Sequence, residues 1–145
     1  MHRRLVERRF STTTRPAAVW QHLAAVEQWP TWARHIKRVR LDPPGALTPT
    51  SKGRIILKPG FPTTFRMTAL DVERNWSWRG RFLGTTVDYD HVISPTPDGA
   101  TDVTFTIVGS GSTVRVVGPV FARVYGRILD RAIPNLTREL DTLTR

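Results

Sequence analysis

Trp76-Ser77-Trp78-Arg79-Gly80-Arg81-Phe82, followed four residues later by Val87-Asp88-Tyr89-Asp90-His91-Val92-Ile93, switches side-chain character at nearly every step. Trp76, Trp78, Gly80 and Phe82 fall on one side, with Ser77, Arg79 and Arg81 on the other. Val87, Tyr89, His91 and Ile93 likewise oppose Asp88 and Asp90. A period of two marks half-buried strands, because successive Cβ atoms point to opposite faces. The same period continues outward in both directions. Val39 and Leu41 come before it, as do Gly53, Ile55 and Leu57 alternating with Arg54, Ile56 and Lys58. Phe65, Met67 and Ala69 alternate with Arg66 and Thr68, and Val103, Phe105 and Ile107 with Thr104 and Thr106. Asp42-Pro43-Pro44-Gly45, Pro59-Gly60 and Pro95-Thr96-Pro97-Asp98-Gly99 supply the turns. The segment reads as a meandering antiparallel sheet, apolar on one face and rich in Arg, Asp and Thr on the other.

The ends of the chain read differently. Leu5 to Thr13 is strand-like, with Val6, Arg8, Phe10 and Thr12 on one face. Thr13, Thr14 and Pro16 open a helix from Arg15 to about Val26, whose Val19, Leu23 and Val26 share a side. Trp29-Pro30-Thr31-Trp32 breaks it and opens a second short helical turn. In the last thirty residues Val117, Val120/Phe121, Val124, Ile128, Ala132, Leu136, Leu140 and Leu143 recur at helical spacing, widened by Tyr125, Leu129 and Ile133. Pro134 is expected to bend this helix near Asp130. A stripe that wide calls for cover around much of the helix, which a curving sheet provides. The pattern therefore predicts an α+β domain over 1–145, with a long C-terminal helix gripped by an antiparallel sheet.

Composition excludes several classes. The 145 residues fit one domain and include no Cys, which removes disulfide scaffolds and thiol chemistry. No apolar run approaches the ~20 residues of a membrane span. Charge at the N-terminus has no apolar stretch behind it, so a cytoplasmic protein is expected, without integral membrane association. The net charge is +10, from 22 Lys and Arg against 12 Asp and Glu. Nineteen of those cations are Arg and three (Lys37, Lys52, Lys58) are Lys, a skew that codon usage in a GC-rich genome also produces. Charge favours anionic partners without selecting one.

Particular residues add a resemblance. The strand running into Pro16-Ala17-Ala18-Val19-Trp20, then Trp29-Pro30-Thr31-Trp32, Gly53 after a Pro-rich loop, Trp76-Ser77-Trp78-Arg79-Gly80, Gly84 to His91, Pro97-Asp98-Gly99-Ala100-Thr101 and the final helix all occur in one order. In that order they resemble the START-like (SRPBCC, polyketide cyclase/dehydrase) superfamily across the whole chain. The resemblance implies a helix-grip fold: a seven-stranded curved antiparallel sheet around the C-terminal helix, with two short helices after the first strand and an apolar cavity between. It implies a hydrophobic ligand, such as a lipid, polyketide or isoprenoid-like molecule, without choosing one.

Under that resemblance the residues expected to line the cavity are Trp20, Trp32, Phe65, Met67, Trp76, Trp78, Phe82, Tyr89, His91, Phe105, Val124 and Ile128. Large rings offer apolar area, and Trp an N–H handle; the competing reading is that they simply fill the core. Tyr89 and His91, a phenol beside an imidazole on one strand face, are the candidates for orienting a ligand or for cyclase-type proton transfer. His22 and His35 read as surface residues. No His pair has metal spacing, so no metal is expected. No P-loop, dinucleotide fingerprint or GxSxG occurs, so no cofactor is expected either. Asp88 and Asp90 are expected to meet cross-strand Arg, with Arg66, Arg79 and Arg81 available. Arg34, Lys37, Arg38 and Arg40 read as a solvated strand edge, and Pro43 to Lys52 as a long loop able to cover a cavity.

Three functions follow. The first is binding of an apolar or weakly acidic small molecule, as a monomer or homodimer. The second is a cyclase, aromatase or dehydratase using His91 and Tyr89. The third is nucleic-acid binding by the Arg-rich surface with exposed Trp, which weakens if the Trp side chains are buried; nucleic acid is not the expected partner.

Overall fold

The computed structural model describes residues 2–143, and the alternating segments become seven strands. These are β1 (His2–Thr12), β2 (Ile36–Asp42), β3 (Lys52–Leu57), β4 (Phe61–Asp71), β5 (Asn75–Phe82), β6 (Thr85–Pro95) and β7 (Thr101–Ser110). They form one antiparallel sheet in the order β1-β7-β6-β5-β4-β3-β2. Helix α1 (Pro16–Ala24) and a 3₁₀ turn, η1 (Val26–Thr31), follow β1, and α2 (Val114–Thr142) closes the chain. The expected helix-grip α+β architecture is present. No helix among the described residues is long and apolar enough to cross a membrane.

Burial follows the alternation. On the inner face, Val103, Phe105 and Ile107 of β7 lie beside Val87, His91 and Ile93 of β6 and Trp76 and Trp78 of β5, all buried. The period breaks at one place. A bulge between Met67 and Ala69 sets Ala69 opposite Ser77 and Leu70 opposite Trp76, so Leu70 packs on the core and Ala69 is exposed. An extra residue flips every side chain beyond it, which alternation alone does not anticipate.

Helix α2 runs through Pro119 and Pro134 without interruption. It lies mainly along β1 and touches β6 and β7 lightly. Arg8 on the inner face of β1 anchors its middle, with Nε 2.7 Å from Asp130 Oδ1. At its end Thr12 Oγ1 donates to Asp141 at 2.7 Å, and the Thr14 hydroxyl donates to the Leu140 carbonyl. The buried stripe is Val114, Gly118, Phe121, Gly126, Leu129, Ala132, Leu136 and Leu140, spaced three to five residues apart. Val120 and Val124, expected within it, are instead 64% and 54% exposed, beside Val116 at 79%. The sheet does not wrap far enough to cover that side of the helix, so its apolar circumference is only partly enclosed.

Gly53 shows how closely the inner face is packed. A Cβ there would fall 2.5 Å from the Arg40 carbonyl oxygen and 2.5 Å from the Phe65 ring. The carbonyl belongs to the paired strand and cannot swing aside. Gly53→Ala should therefore cost about 1–3 kcal/mol or more through overpacking. Gly60→Ala, where nothing lies within 4 Å, should cost little. Urea melts of the two variants compare them directly.

Candidate functional site

The concave face of the sheet is filled by rings. Trp76 is fully buried and stacks on His91, with centroids 4.4 Å apart and planes at 15°. Trp29 reaches in from η1, 5.1 Å from Trp78 and 5.7 Å from His91, and donates from Nε1 to the Leu23 carbonyl at 2.9 Å. Phe65 covers Trp78 at 4.1 Å, and Trp20 of α1 meets Trp76 edge-on at 5.3 Å. All five tryptophans meet in this cluster, Trp32 joining it through Trp29 at 5.2 Å.

Beside this cluster a narrow, partly open cleft remains, with free space of about 30 Å³. Trp29, Trp32, Ala33, His35 and Ile36 form one wall. Tyr89, His91, Phe105 and Ile107 form its floor, and Tyr125 and Leu129 of α2 face them. The walls are largely apolar, and the space holds about one water. Tyr125 stands at a junction: His35 lies edge-on at 5.9 Å, Tyr89 at 6.1 Å, and Phe121 stacks on it at 5.3 Å. Phe121 in turn touches Phe82 at 5.4 Å, beside the exposed Leu83, Val120 and Val124. The cleft wall is thus continuous with an apolar surface at the β5–β6 end of the molecule.

Asp90 and Thr106 also border the cleft, Asp90 with its carboxylate held by Ser77 Oγ at 2.6 Å. The other polar side chains there, two imidazoles and two phenols, are neutral near pH 7. His91 Nδ1 lies 3.2 Å from the Trp76 carbonyl. A carbonyl only accepts, so Nδ1 carries the proton and Nε2 offers its lone pair. Burial pushes the His91 pKa down to about 4, against smaller raising effects of the hydrogen bond to Trp76 and of Asp90. His35, at the other wall, is also pushed down to about 4 by burial, and its Nε2 is buried without a partner. Burial holds the Tyr89 phenol far above the ordinary tyrosine range, with Tyr125 adding to it, and pushes Tyr125 up to about 12. The constellation is two hydroxyl donors and two uncharged imidazoles around an apolar slot. Such groups hydrogen-bond well, but a base with a pKa near 4 accepts a proton poorly at neutral pH.

Of the residues expected to line a cavity, Trp32, Tyr89, His91 and Phe105 lie on the cleft. Phe65, Met67, Trp76 and Trp78 are core residues beside it, and Trp20 backs Trp76. Phe82 and Val124 are substantially exposed near the β5–β6 end, and Ile128 is half-buried off the cleft. The reason is rotational. The α2 face turned toward the sheet carries Phe121, Tyr125 and Leu129, while Val120, Val124 and Ile128 follow the neighbouring stripe. His35, read as a surface residue, lines the cleft because η1 folds it under Tyr125. Among the described residues no three His, Asp or Glu gather to hold a metal ion.

On the outer face Arg79 Nε pairs with Asp88 at 2.7 Å, as expected, while Asp90 accepts instead from Ser77 Oγ at 2.6 Å. Arg38 and Arg40 lie on β2, an edge strand, where charge discourages pairing with other chains. The loop after β2 is fastened: Leu47 packs on the core, and Ser51 Oγ accepts from the Thr48 amide at 2.8 Å.

Comparison with known proteins agrees with this architecture. A family model described as polyketide cyclase / dehydrase and lipid transport matches residues 3–141. No curated protein matches the chain in sequence. Among solved structures, a hypothetical protein from Helicobacter pylori superposes with a TM-score of 0.77 at 11% identity, over 92% of this chain and 86% of that one. A protein of unknown function from Staphylococcus aureus gives 0.75 at 13% identity, over 99% and 96%. At such identities these two share the fold.

Proposed function

The chain belongs to the polyketide cyclase / dehydrase and lipid transport family, and from that premise we propose that it binds an apolar small molecule in the cleft between Trp29–Ile36 and the Tyr125–Leu129 turn of α2. The observation that carries this reading is the narrow, largely apolar slot bordered by Tyr89, His91, His35 and Tyr125. The groups define the ligand. Tyr89 donates its hydroxyl proton and His91 Nε2 accepts, so the ligand has a flat apolar body with a hydroxyl that can do both.

The slot is narrow in this form. A drug-sized ligand needs roughly 300–1,000 Å³, against the 30 Å³ present. Entry must displace a wall, and Tyr125 is the wall that borders the exposed apolar surface. It sits on a helix that touches β6 and β7 lightly, above a surface that opens through Phe121 and Phe82. Binding then swings Tyr125 outward while the Trp29–Trp76–Trp78 cluster stays in place as a rigid floor.

The depressed basicity of His91 favours holding a ligand over transforming it. The test uses 2-naphthol as a flat probe, followed by quenching of tryptophan fluorescence. Tyr125→Ala removes the gate and should tighten binding several-fold. Ala33→Phe fills the slot and should weaken it at least tenfold. Absence of binding, or equal affinity in the two variants, overturns the reading.

A further inference from the structure

The outer face of the sheet carries a second feature, independent of the cleft. An open groove of about 940 Å³ crosses β2 to β6, lined by Arg40, Lys52, Arg54, Arg66, Arg79 and Arg81, with Asp42 the one carboxylate among the lining residues. These cations stand in register. Arg40 pairs directly with Arg54, Lys52 with Arg66, and Arg66 with Arg79. Like charges directly opposite destabilise a sheet, and three such pairs follow one another across four strands. Arg79 is neutralised by Asp88, but Arg40, Lys52, Arg54, Arg66 and Arg81 form no ion pair among the described residues. The helices all lie on the opposite face, so this array is open to a large partner.

We propose that this groove binds a nucleic-acid duplex through its phosphates. Strands stand about 4.8 Å apart, with alternate residues on one strand roughly 6.8 Å apart. The array therefore offers guanidinium forks at about the spacing of successive phosphates, each able to engage one in bidentate fashion. A single strand would need exposed rings for its bases to stack on. The groove offers none: Phe65, the one ring among its lining residues, is only 5% exposed, and Trp76 and Trp78 are buried on the other face. A bilayer would need exposed apolar side chains to bury, and the groove is lined by cations, its Leu41 and Phe65 being buried. Binding is therefore independent of base sequence and steep in salt. It also differs from the mode that exposed tryptophans would have supported.

The test is fluorescence anisotropy with a labelled 16-base-pair DNA duplex in 50–200 mM KCl. Arg40→Gln/Arg54→Gln/Arg66→Gln should weaken binding at least tenfold at 50 mM salt. It should also flatten the log–log salt slope by about 2 to 3, from three lost phosphate contacts. Arg115→Gln/Arg123→Gln/Arg127→Gln removes the same charge from α2 and should change affinity less than threefold. Amide NMR shifts of the wild-type protein on duplex addition should map to β2–β5, a readout that does not depend on the variants folding. Equal losses in the two triple variants, shifts centred elsewhere, or tighter binding to phosphatidylglycerol vesicles than to duplex would each overturn the proposal.

Discussion

Trp76→Ala is expected to lower the unfolding free energy by about 3–5 kcal/mol, the range for deleting a large aromatic side chain from a core. Trp76 is 0% exposed and contacts Trp20, Trp29, Trp78 and His91, so its loss opens a hole between α1, η1 and the sheet at once. A small domain is stable by about 5–15 kcal/mol in all, which leaves the variant near the edge of folding. Trp76→Phe separates two contributions. It keeps a ring against His91, and it removes the indole N–H, which is buried without a hydrogen-bond partner. An unpaired buried donor costs roughly 1–3 kcal/mol, and its removal offsets part of the lost volume. Trp76→Phe should therefore cost less than half as much as Trp76→Ala. Urea denaturation at pH 7.5 measures both. Equal costs would show that the unpaired N–H contributes nothing.

Acid should destabilise the protein in a defined window. His91 titrates near 4 in the folded chain and near 6.5 when unfolded. Between these values the unfolded chain holds a proton that the folded chain lacks, so stability is full above about pH 6.5 and falls as pH drops toward 4. The difference is on the order of 3 kcal/mol for His91. His35, also pushed down to about 4 by burial, acts in the same direction. His91→Gln keeps a donor for the Trp76 carbonyl but cannot titrate. Its stability should fall less steeply from pH 6.5 to 4, by about one proton's worth, or ~1.4 kcal/mol per pH unit at the steepest point. Denaturation curves at pH 7.5, 5.5 and 4.5 give the two slopes. Equal slopes would mean that His91 protonates as readily in the folded chain as in water.

The sheet was legible because alternation is a local property. Trp76 to Ile93 contains its own evidence of which side chains turn inward, and so do Gly53, Ile55 and Leu57. The bulge at Met67/Ala69 was not legible, since it depends on how β4 meets β5. The cleft was only half legible for a related reason. Tyr89 and His91 announce themselves on one strand, but Trp29, His35, Tyr125 and Leu129 arrive from η1, the start of β2 and α2. Their meeting is set by the rotation of α2 about its axis. Spacing alone does not choose between the stripe through Phe121, Tyr125 and Leu129 and the neighbouring one through Val120, Val124 and Ile128. The arginines gained meaning the same way. Arg40, Arg54 and Arg66 are scattered in sequence and become one array only through strand register.

The ligand is expected to lie between η1 and α2. Isotope-filtered NMR on the labelled protein with unlabelled 2-naphthol tests it most directly. Contacts from the naphthol protons to Trp32, Tyr89, Tyr125 and Leu129 are the predicted result. Contacts confined to Phe82, Leu83, Val116 and Val120, on the exposed apolar surface outside the cleft, would contradict it.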